Sequence, residues 1–132
     1  MVLRSYQDWW QARIGAYAHP AADTGILAGR SAGQAQAEAL TNLHRLIEAN
    51  LVMSGSPRNS AVVKSLDLRA APRTAEIEDC VDITDWHQVD AKTGALKDPE
   101  QRLTRYVLSV ALREDNNGWL VTRSNRLTEK TC

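Results

Sequence analysis

Three aspartates near the middle of the chain, Asp79, Asp82 and Asp85, are the residues whose type and spacing best suit chemistry. A carboxylate held at an apolar pocket with a raised pKa can serve as a general base. The surrounding segment 75–83 alternates apolar and polar residues, which predicts a strand with one buried face. Asp82 falls in the polar register and Asp85 at the strand end, where carboxylates are usually solvated or paired with arginine. We therefore predict no catalytic residue, with Asp82 and Asp85 as the candidates for a base if one exists.

The only two cysteines are Cys80, inside the same segment, and Cys132. They lack C-x-x-C spacing and have no histidine close by in sequence, so a metal site is not predicted. The acidic neighbours of Cys80 should raise its thiol pKa, which argues against a nucleophile. Two alternatives remain. A disulfide would stabilise the fold by roughly 4 kcal/mol through the long loop it closes, whereas two free thiols would suit a cytosolic protein.

The remaining candidates for chemistry are three histidines, four tryptophans and three tyrosines. His19, His44 and His87 fall on separate predicted elements and show neither metal-ligand spacing nor a triad order, so we predict no metal and no cofactor. Aromatic side chains could line a ligand pocket, although core packing is their commoner role. The candidates are Trp10, Tyr17, Trp86, Tyr106 and Trp119. We also expect either Trp9 or Trp10 to meet solvent, a partner chain or a second sheet edge, because adjacent helical residues point in different directions.

Length and charge restrict the classes of function. A chain of 132 residues should form one domain, 1–132, with its own core. Sixteen basic residues balance sixteen acidic ones and are interspersed with them, which argues against a nucleic-acid partner. No apolar run reaches the roughly 18 residues of a membrane span. The N-terminal segment lacks the pattern of a signal peptide, so we expect any leader or anchor to lie upstream of Val2 in the full-length protein.

The first half of the chain has a helical period. Apolar residues recur at spacings of three and four from Leu3 to Tyr17 and predict a helix that ends at His19-Pro20. Asp23 is expected to cap a short turn carrying Ile26 and Leu27. A longer helix should follow with Ser31 as N-cap, an apolar face from Ala35 to Leu51, and Gly55 as C-cap.

After Pro57 the period changes to two, which predicts a meander of antiparallel strands. We place the strands near 60–70, 74–84, 102–114 and 118–127, with Asn117-Gly118 as the tightest hairpin turn. Segment 85–100 has turn signals and few apolar residues, so it is expected to be an exposed loop with only short pairing. Helices followed by antiparallel strands indicate an α+β domain with its helices packed on one face of a curved sheet.

Two short motifs resemble a known family. Ile77–Trp86 reads IEDCVDITDW and Gly118–Val121 reads GWLV. These resemble the V-x-D-C-x-D-x-[ST]-x-W and G-W-x-V patterns of actinobacterial exported or membrane-anchored domains in the nuclear transport factor 2-like superfamily. That superfamily includes ketosteroid isomerase, scytalone dehydratase and SnoaL-type cyclases. The resemblance implies a cone-like sheet, and the position of Cys132 matches the same pattern.

The resemblance implies a non-enzymatic domain, exported or facing the cell exterior, that serves interaction or assembly. The alternatives are a cytoplasmic location and a small-ligand binder or SnoaL-like isomerase, cyclase or dehydratase that uses Asp82 or Asp85 as its base. A protein partner is expected, or a homodimer formed through a second, weakly apolar face of strand 102–114. That face carries Val107, Ser109 and Ala111.

Overall fold

The computed structural model describes residues 2–22, 25, 27–116 and 118–132, with Ala28 described for its backbone only. The expectations for Asp23, Ile26 and Asn117 lie outside these residues. Two helices come first, with 3₁₀ helices at Pro20–Ala22 and Ala28–Arg30 between them. They are α1 (Val2–Ala18) and α2 (Gly33–Ala49). The strands are β1 (Leu51–Gly55), β2 (Arg58–Asp67), β3 (Thr74–Asp82), β4 (Trp86–Asp90), β5 (Arg105–Asp115) and β6 (Gly118–Arg126).

The architecture is α+β, as the sequence predicts. Four strands form an antiparallel sheet in the order β2-β3-β5-β6, and β1 and β4 form a separate antiparallel pair. Both helices contact β6 of the larger sheet and β1 of the smaller one. The core therefore lies between the helices and the inner face of the large sheet. No helix in the described ranges is long and apolar enough to span a bilayer.

The strand β3 has the alternation that the sequence predicts. Ala75, Ile77, Asp79 and Val81 share the buried face, whereas the alternate residues Thr74, Glu76, Glu78, Cys80 and Asp82 are exposed or half-buried. Strand β5 pairs with the whole length of β3. Its residues Leu108, Val110 and Leu112 likewise face the core. The period-two pattern thus places both central strands correctly, because each strand buries only one face.

The ends of α2 differ from the sequence prediction. The N-cap is Ala32, and Ser31 is instead buried in a parallel bridge to Val121 of β6. The C-cap is Asn50, which has a left-handed backbone with a φ of 57°. Asparagine tolerates this conformation because its short polar side chain can bond locally, so the helix ends without a glycine. Gly55 was therefore wrongly assigned as the cap, and Leu51 belongs to β1.

Gly55 has a different structural role at the end of β1. Its φ is 84°, and a Cβ atom at this position would approach the backbone oxygen of Asp85 far inside van der Waals contact. Glycine is thus required where β1 runs closely against the start of β4, with Gly55 opposite Trp86.

Over 85–100 the structure agrees with the expected short pairing but not with the expected exposure at the start of the segment. Residues Trp86–Asp90 form β4, and Trp86 is only 6% exposed. The partner strand β1 lies in the segment that the helical pattern had assigned to the end of α2. No pairing partner for β4 was therefore visible in the sequence. Residues 91–97 beyond β4 are exposed, as expected.

Trp9 and Trp10 are both buried, at 1% and 2% exposure, so of the expected alternatives neither residue meets solvent. The reason is that α1 has neighbours on several sides, contacting β1, β6 and α2. Different faces of this helix therefore reach protein. The two indole rings meet edge to face with centroids 5.5 Å apart.

Cys80 and Cys132 form a disulfide, with their Cα atoms 5.9 Å apart. The bond holds the C-terminal segment against the outer face of the large sheet. There the N–H of Leu127 donates to the carbonyl of Val107, and Lys130 pairs with Glu78 at 3.2 Å. Val107, expected to present a dimerisation face, is 5% exposed beside this segment. Of the two alternatives for the cysteines, the disulfide is confirmed.

Candidate functional site

A cleft of about 470 Å³ opens between the helices, the small sheet and the segment that precedes β5. This size is within the range of small-molecule and peptide-side-chain sites. Helix α1 contributes Arg13 and Tyr17, and α2 contributes Asn42, Arg45 and Leu46. The rest of the lining comes from Met53, Ile83, Trp86, Gln88, Asp98, Pro99, Gln101, Arg102, Leu103, Tyr106 and Arg126.

Four arginines give the cleft its charge. The guanidinium carbon of Arg13 lies 4.4 Å from the ring centre of Trp10 and 4.7 Å from that of Trp9. The guanidinium carbon of Arg126 lies 4.1 Å from the ring centre of Tyr106. Within the described ranges, no carboxylate lies in ion-pair distance of Arg13, Arg45 or Arg126. The cleft therefore carries uncompensated positive charge, although the whole chain is neutral.

Asp98 connects the segment before β5, which forms one wall of the cleft, to β4. Its carboxylate lies 2.6 Å from Nδ1 of His87, accepts the backbone N–H of Gln88 at 2.7 Å, and lies 3.6 Å from Nε of Arg102. Arg102 in turn donates to the carbonyls of Trp86 and Thr84. Burial acts to raise the pKa of Asp98. The hydrogen bonds from His87 and Gln88, with the charge of Arg102, outweigh this effect and lower the pKa below its usual value.

Several polar atoms in the cleft are buried without a hydrogen-bond partner among the described residues. They are Nε of Arg13, Nε1 of Trp86 and Oε1 of Gln88. Buried polar groups in folded proteins nearly always have a hydrogen-bond partner, so ordered water or a bound group is expected to complete the hydrogen bonding of these three atoms. The hydroxyl of Tyr17, by contrast, donates to the carbonyl of Ala39 and is already satisfied.

Tyr106 lies next to Arg126 near the start of β5. Burial raises the pKa of its phenol above the ordinary value, and the neighbouring charges of Arg13 and Arg126 offset only part of this effect. The neutral hydroxyl is therefore the form that a ligand would meet at physiological pH.

The structure brings together three of the five aromatic residues that the sequence nominates. Tyr17, Trp86 and Tyr106 line the cleft, and the rings of Tyr17 and Trp86 stack with centroids 6.2 Å apart. Trp10 lies behind them, 5.8 Å from Trp86 and against Arg13, so it supports the cleft without lining it. Trp119 is buried at the start of β6 and does not line the cleft.

Asp82 and Asp85 lie outside the cleft. Hydrogen bonds from the hydroxyl and N–H of Thr84 lower the pKa of Asp82, and Arg105 lies 4.0 Å away. Asp85 is exposed and pairs with Arg58 at 3.3 Å. The lowered pKa thus favours the ionised form of Asp82, and both carboxylates lie away from the cleft. Among the histidines, His19 and His44 are exposed, and His87 bonds to Asp98.

Asp79 is the one of the three aspartates that the sequence analysis did not select as a candidate base. It is 0% exposed and accepts hydrogen bonds from the Tyr6 hydroxyl at 2.6 Å, from Asn59 at 2.8 Å and from the N–H of Ser60 at 2.7 Å. Burial, followed by the charge of Asp79, raises the pKa of Tyr6. The signal was present in the alternation itself, because Asp79 lies midway between the inward residues Ile77 and Val81.

Comparison with known proteins supports the fold. No protein-family model matches the chain, and no curated protein matches it. Among solved structures, the intermembrane space region of the chloroplast protein ARC6 is similar in fold, with a TM-score of 0.56. The similarity covers 94% of this chain and 92% of that chain at 14% sequence identity. At this identity the likeness establishes the shared fold and nothing about the activity.

Proposed function

We propose that this chain is a non-enzymatic interaction domain, related to the nuclear transport factor 2-like superfamily, that docks a partner protein in the arginine- and aromatic-lined cleft. The observation that carries the proposal is the composition of the cleft. Arginine, tyrosine and tryptophan are the residues that most often supply binding energy at protein interfaces. Here Arg13, Arg45 and Arg126 lie beside Tyr17 and Trp86 in one concave site.

The placement of the acidic residues favours binding over turnover. A general base needs to reach the substrate pocket with a raised pKa. Asp82 and Asp85 are outside the cleft, and the pKa of Asp82 is lowered. Among the described lining residues, Asp98 is the only carboxylate; it also has a lowered pKa and already bonds His87 and the backbone of Gln88.

The disulfide favours an oxidising compartment. Disulfides persist in exported proteins and are rare in the reducing cytosol. The fold shared with a domain of an intermembrane space agrees with a location outside the cytosol. We accordingly propose an extracytoplasmic position, at the cell exterior or within an envelope.

A displayed peptide library, selected against the oxidised protein, tests the proposed function. The cleft is expected to enrich peptides that combine acidic with apolar residues. Leu103→Asp places a charge at the exposed apolar rim of the cleft, where the leucine is 62% exposed, and should abolish binding of the selected peptides. Leu68→Asp is the matched control, because that leucine is 54% exposed outside the cleft. Equal binding by both variants, or no enrichment at all, would contradict the proposal.

A further inference from the structure

We infer that the part of the cleft formed by Arg13, Arg126 and Tyr106 is a subsite for a carboxylate attached to an apolar or aromatic body. This assignment rests on the proposed function, since it takes the cleft to be the docking site. It goes further by naming the chemical group that the site recognises.

The contacts of Arg13 leave its hydrogen-bond donors available. Its guanidinium carbon lies within 4.7 Å of two indole ring centres and 5.6 Å from the ring centre of Tyr17. Cation–π contacts of this kind balance the charge without using the N–H groups. Nε of Arg13 is buried and has no partner among the described residues. Arg13 is therefore a donor held in place by aromatic rings, and no described residue accepts a hydrogen bond from its Nε.

The charge balance around the cleft distinguishes it from the outer face of the sheet. On that face Arg123 pairs with Glu76 at 3.2 Å, and Lys130 pairs with Glu78 at 3.2 Å. In the described lining of the cleft, Asp98 is the only acidic residue, and its partners are His87 and Arg102. Arg13 and Arg126 are left without a counter-charge in the described part of the chain. A ligand that brings one negative charge would supply it.

The shape of the donors and of the wall selects the ligand class. Guanidinium groups present a planar fork that matches a carboxylate in two hydrogen bonds, and the cleft lining contains arginines but no lysine. The neutral hydroxyl of Tyr106 can add a third donor. The apolar side chains that lie beside these donors would cover a hydrophobic body. They are Leu46, Met53, Ile83 and Leu103.

The test measures binding of defined probes by calorimetry and by the shifts of the indole N–H signals in NMR spectra. The probes are 2-naphthoate, its neutral isostere 2-naphthamide, and inorganic phosphate. We expect 2-naphthoate to bind and to move the Trp86 indole signal, while the amide binds at least about tenfold more weakly, since the charge-assisted bonds are lost. Raising the ionic strength should weaken the binding of the naphthoate only.

Variants locate the binding to this subsite. Arg126→Gln should weaken 2-naphthoate by about tenfold or more, whereas Arg69→Gln, a matched change on an exposed arginine outside the cleft, should have no effect. Arg13→Lys keeps the charge but removes the fork and should also weaken binding. If Arg13→Lys fails to fold, Arg126→Gln alone decides the result.

Two peptide arms separate the sources of the carboxylate. Blocked peptides carrying glutamate beside leucine, or glutamine in its place, represent a partner protein, and 2-naphthoate represents a free organic acid. A glutamate peptide that displaces 2-naphthoate supports a protein source. Binding of 2-naphthoate that neither peptide displaces supports a free acid. The assignment is overturned if phosphate binds more tightly than 2-naphthoate. It is equally overturned if Arg126→Gln and Arg69→Gln bind alike, or if no carboxylate probe binds at about 10 mM. If no carboxylate probe binds, the Leu103→Asp test with the selected peptides still decides the proposed function independently.

Discussion

Asp79 is a carboxylate that the fold can bury because backbone and side-chain donors meet it on both oxygens. One oxygen accepts from Tyr6 and Asn59, and the other accepts from the N–H of Ser60. These contacts join α1, β2 and β3 through one side chain. Burial of such a group is tolerable only when its hydrogen bonds are complete, so the role of Asp79 is to fix α1 on the sheet.

We predict that Asp79→Asn destabilises the protein by roughly 1–3 kcal/mol, the usual cost of leaving a buried polar group unpaired. The amide would place its NH₂ group either against the N–H of Ser60 or against both Tyr6 and Asn59, so at least one donor would have to reorient or lose its acceptor. Urea denaturation gives the change in the free energy of unfolding. Asp82→Asn is the control, since Asp82 lies on the outer face and its loss should cost little. Equal stability of the two variants would contradict this account.

At the scale of elements, the sequence predicts the helices and strands that bury one face, because their apolar residues recur at a regular spacing. The helix α1 and the strands β3, β5 and β6 were recognised because their apolar residues recur at fixed spacing. The pair β1 and β4 was missed because β1 directly follows α2 and continues its apolar run through Leu51. The cap Asn50 interrupts the helix with no glycine or proline to signal it.

The candidate site was only partly predictable. Tyr17, Trp86 and Tyr106 were nominated by residue type, and all three line the cleft. The arginines were not nominated, because positive and negative residues alternate along the chain and reveal no basic patch. Only the tertiary fold places Arg13 and Arg126 together in the cleft. A charge cluster assembled from α1, α2 and β6 leaves no signal in local spacing.

Because Asp98 attaches segment 98–102 to β4, we predict that the free energy of unfolding depends on pH. The folded-state pKa of Asp98 is lowered, so its contacts stabilise the fold above the ordinary carboxyl pKa of about 3.9, and this contribution is lost as the pH falls below that value. Asp98→Asn should cost roughly 1–3 kcal/mol near neutral pH. The difference from wild type should shrink on acidification to about pH 3.

Denaturant unfolding across this pH range measures the effect. Asp8→Asn is a suitable control, since Asp8 is 41% exposed in a 3.8 Å pair with Arg30, where surface pairs contribute little. A constant difference between Asp98→Asn and wild type at all pH values would contradict the assigned ion pair.

At the scale of the whole molecule, a disulfide links the C-terminal segment to the large sheet. The Cys80–Cys132 bond spans 52 positions in sequence and ties the C-terminal segment across β3 and β5. A homodimer through the face that carries Val107 stays a prediction, and it would have to form around this segment. The disulfide lies on the outer face, whereas the cleft opens on the helical side. Stability and binding are therefore expected to respond differently to reduction.

We predict that reduction lowers the free energy of unfolding by roughly 4 kcal/mol, because the loop constraint on the unfolded chain is lost. The denatured, unreduced protein should contain no titratable thiol. Thermal unfolding with and without reductant measures the change, and Cys132→Ser should match the reduced protein and be insensitive to reductant. The 2-naphthoate affinity of the cleft should stay the same as long as the protein remains folded, since its lining residues do not touch the bond. Two reactive thiols in the unreduced chain, or an unchanged melting temperature on reduction, would contradict the prediction.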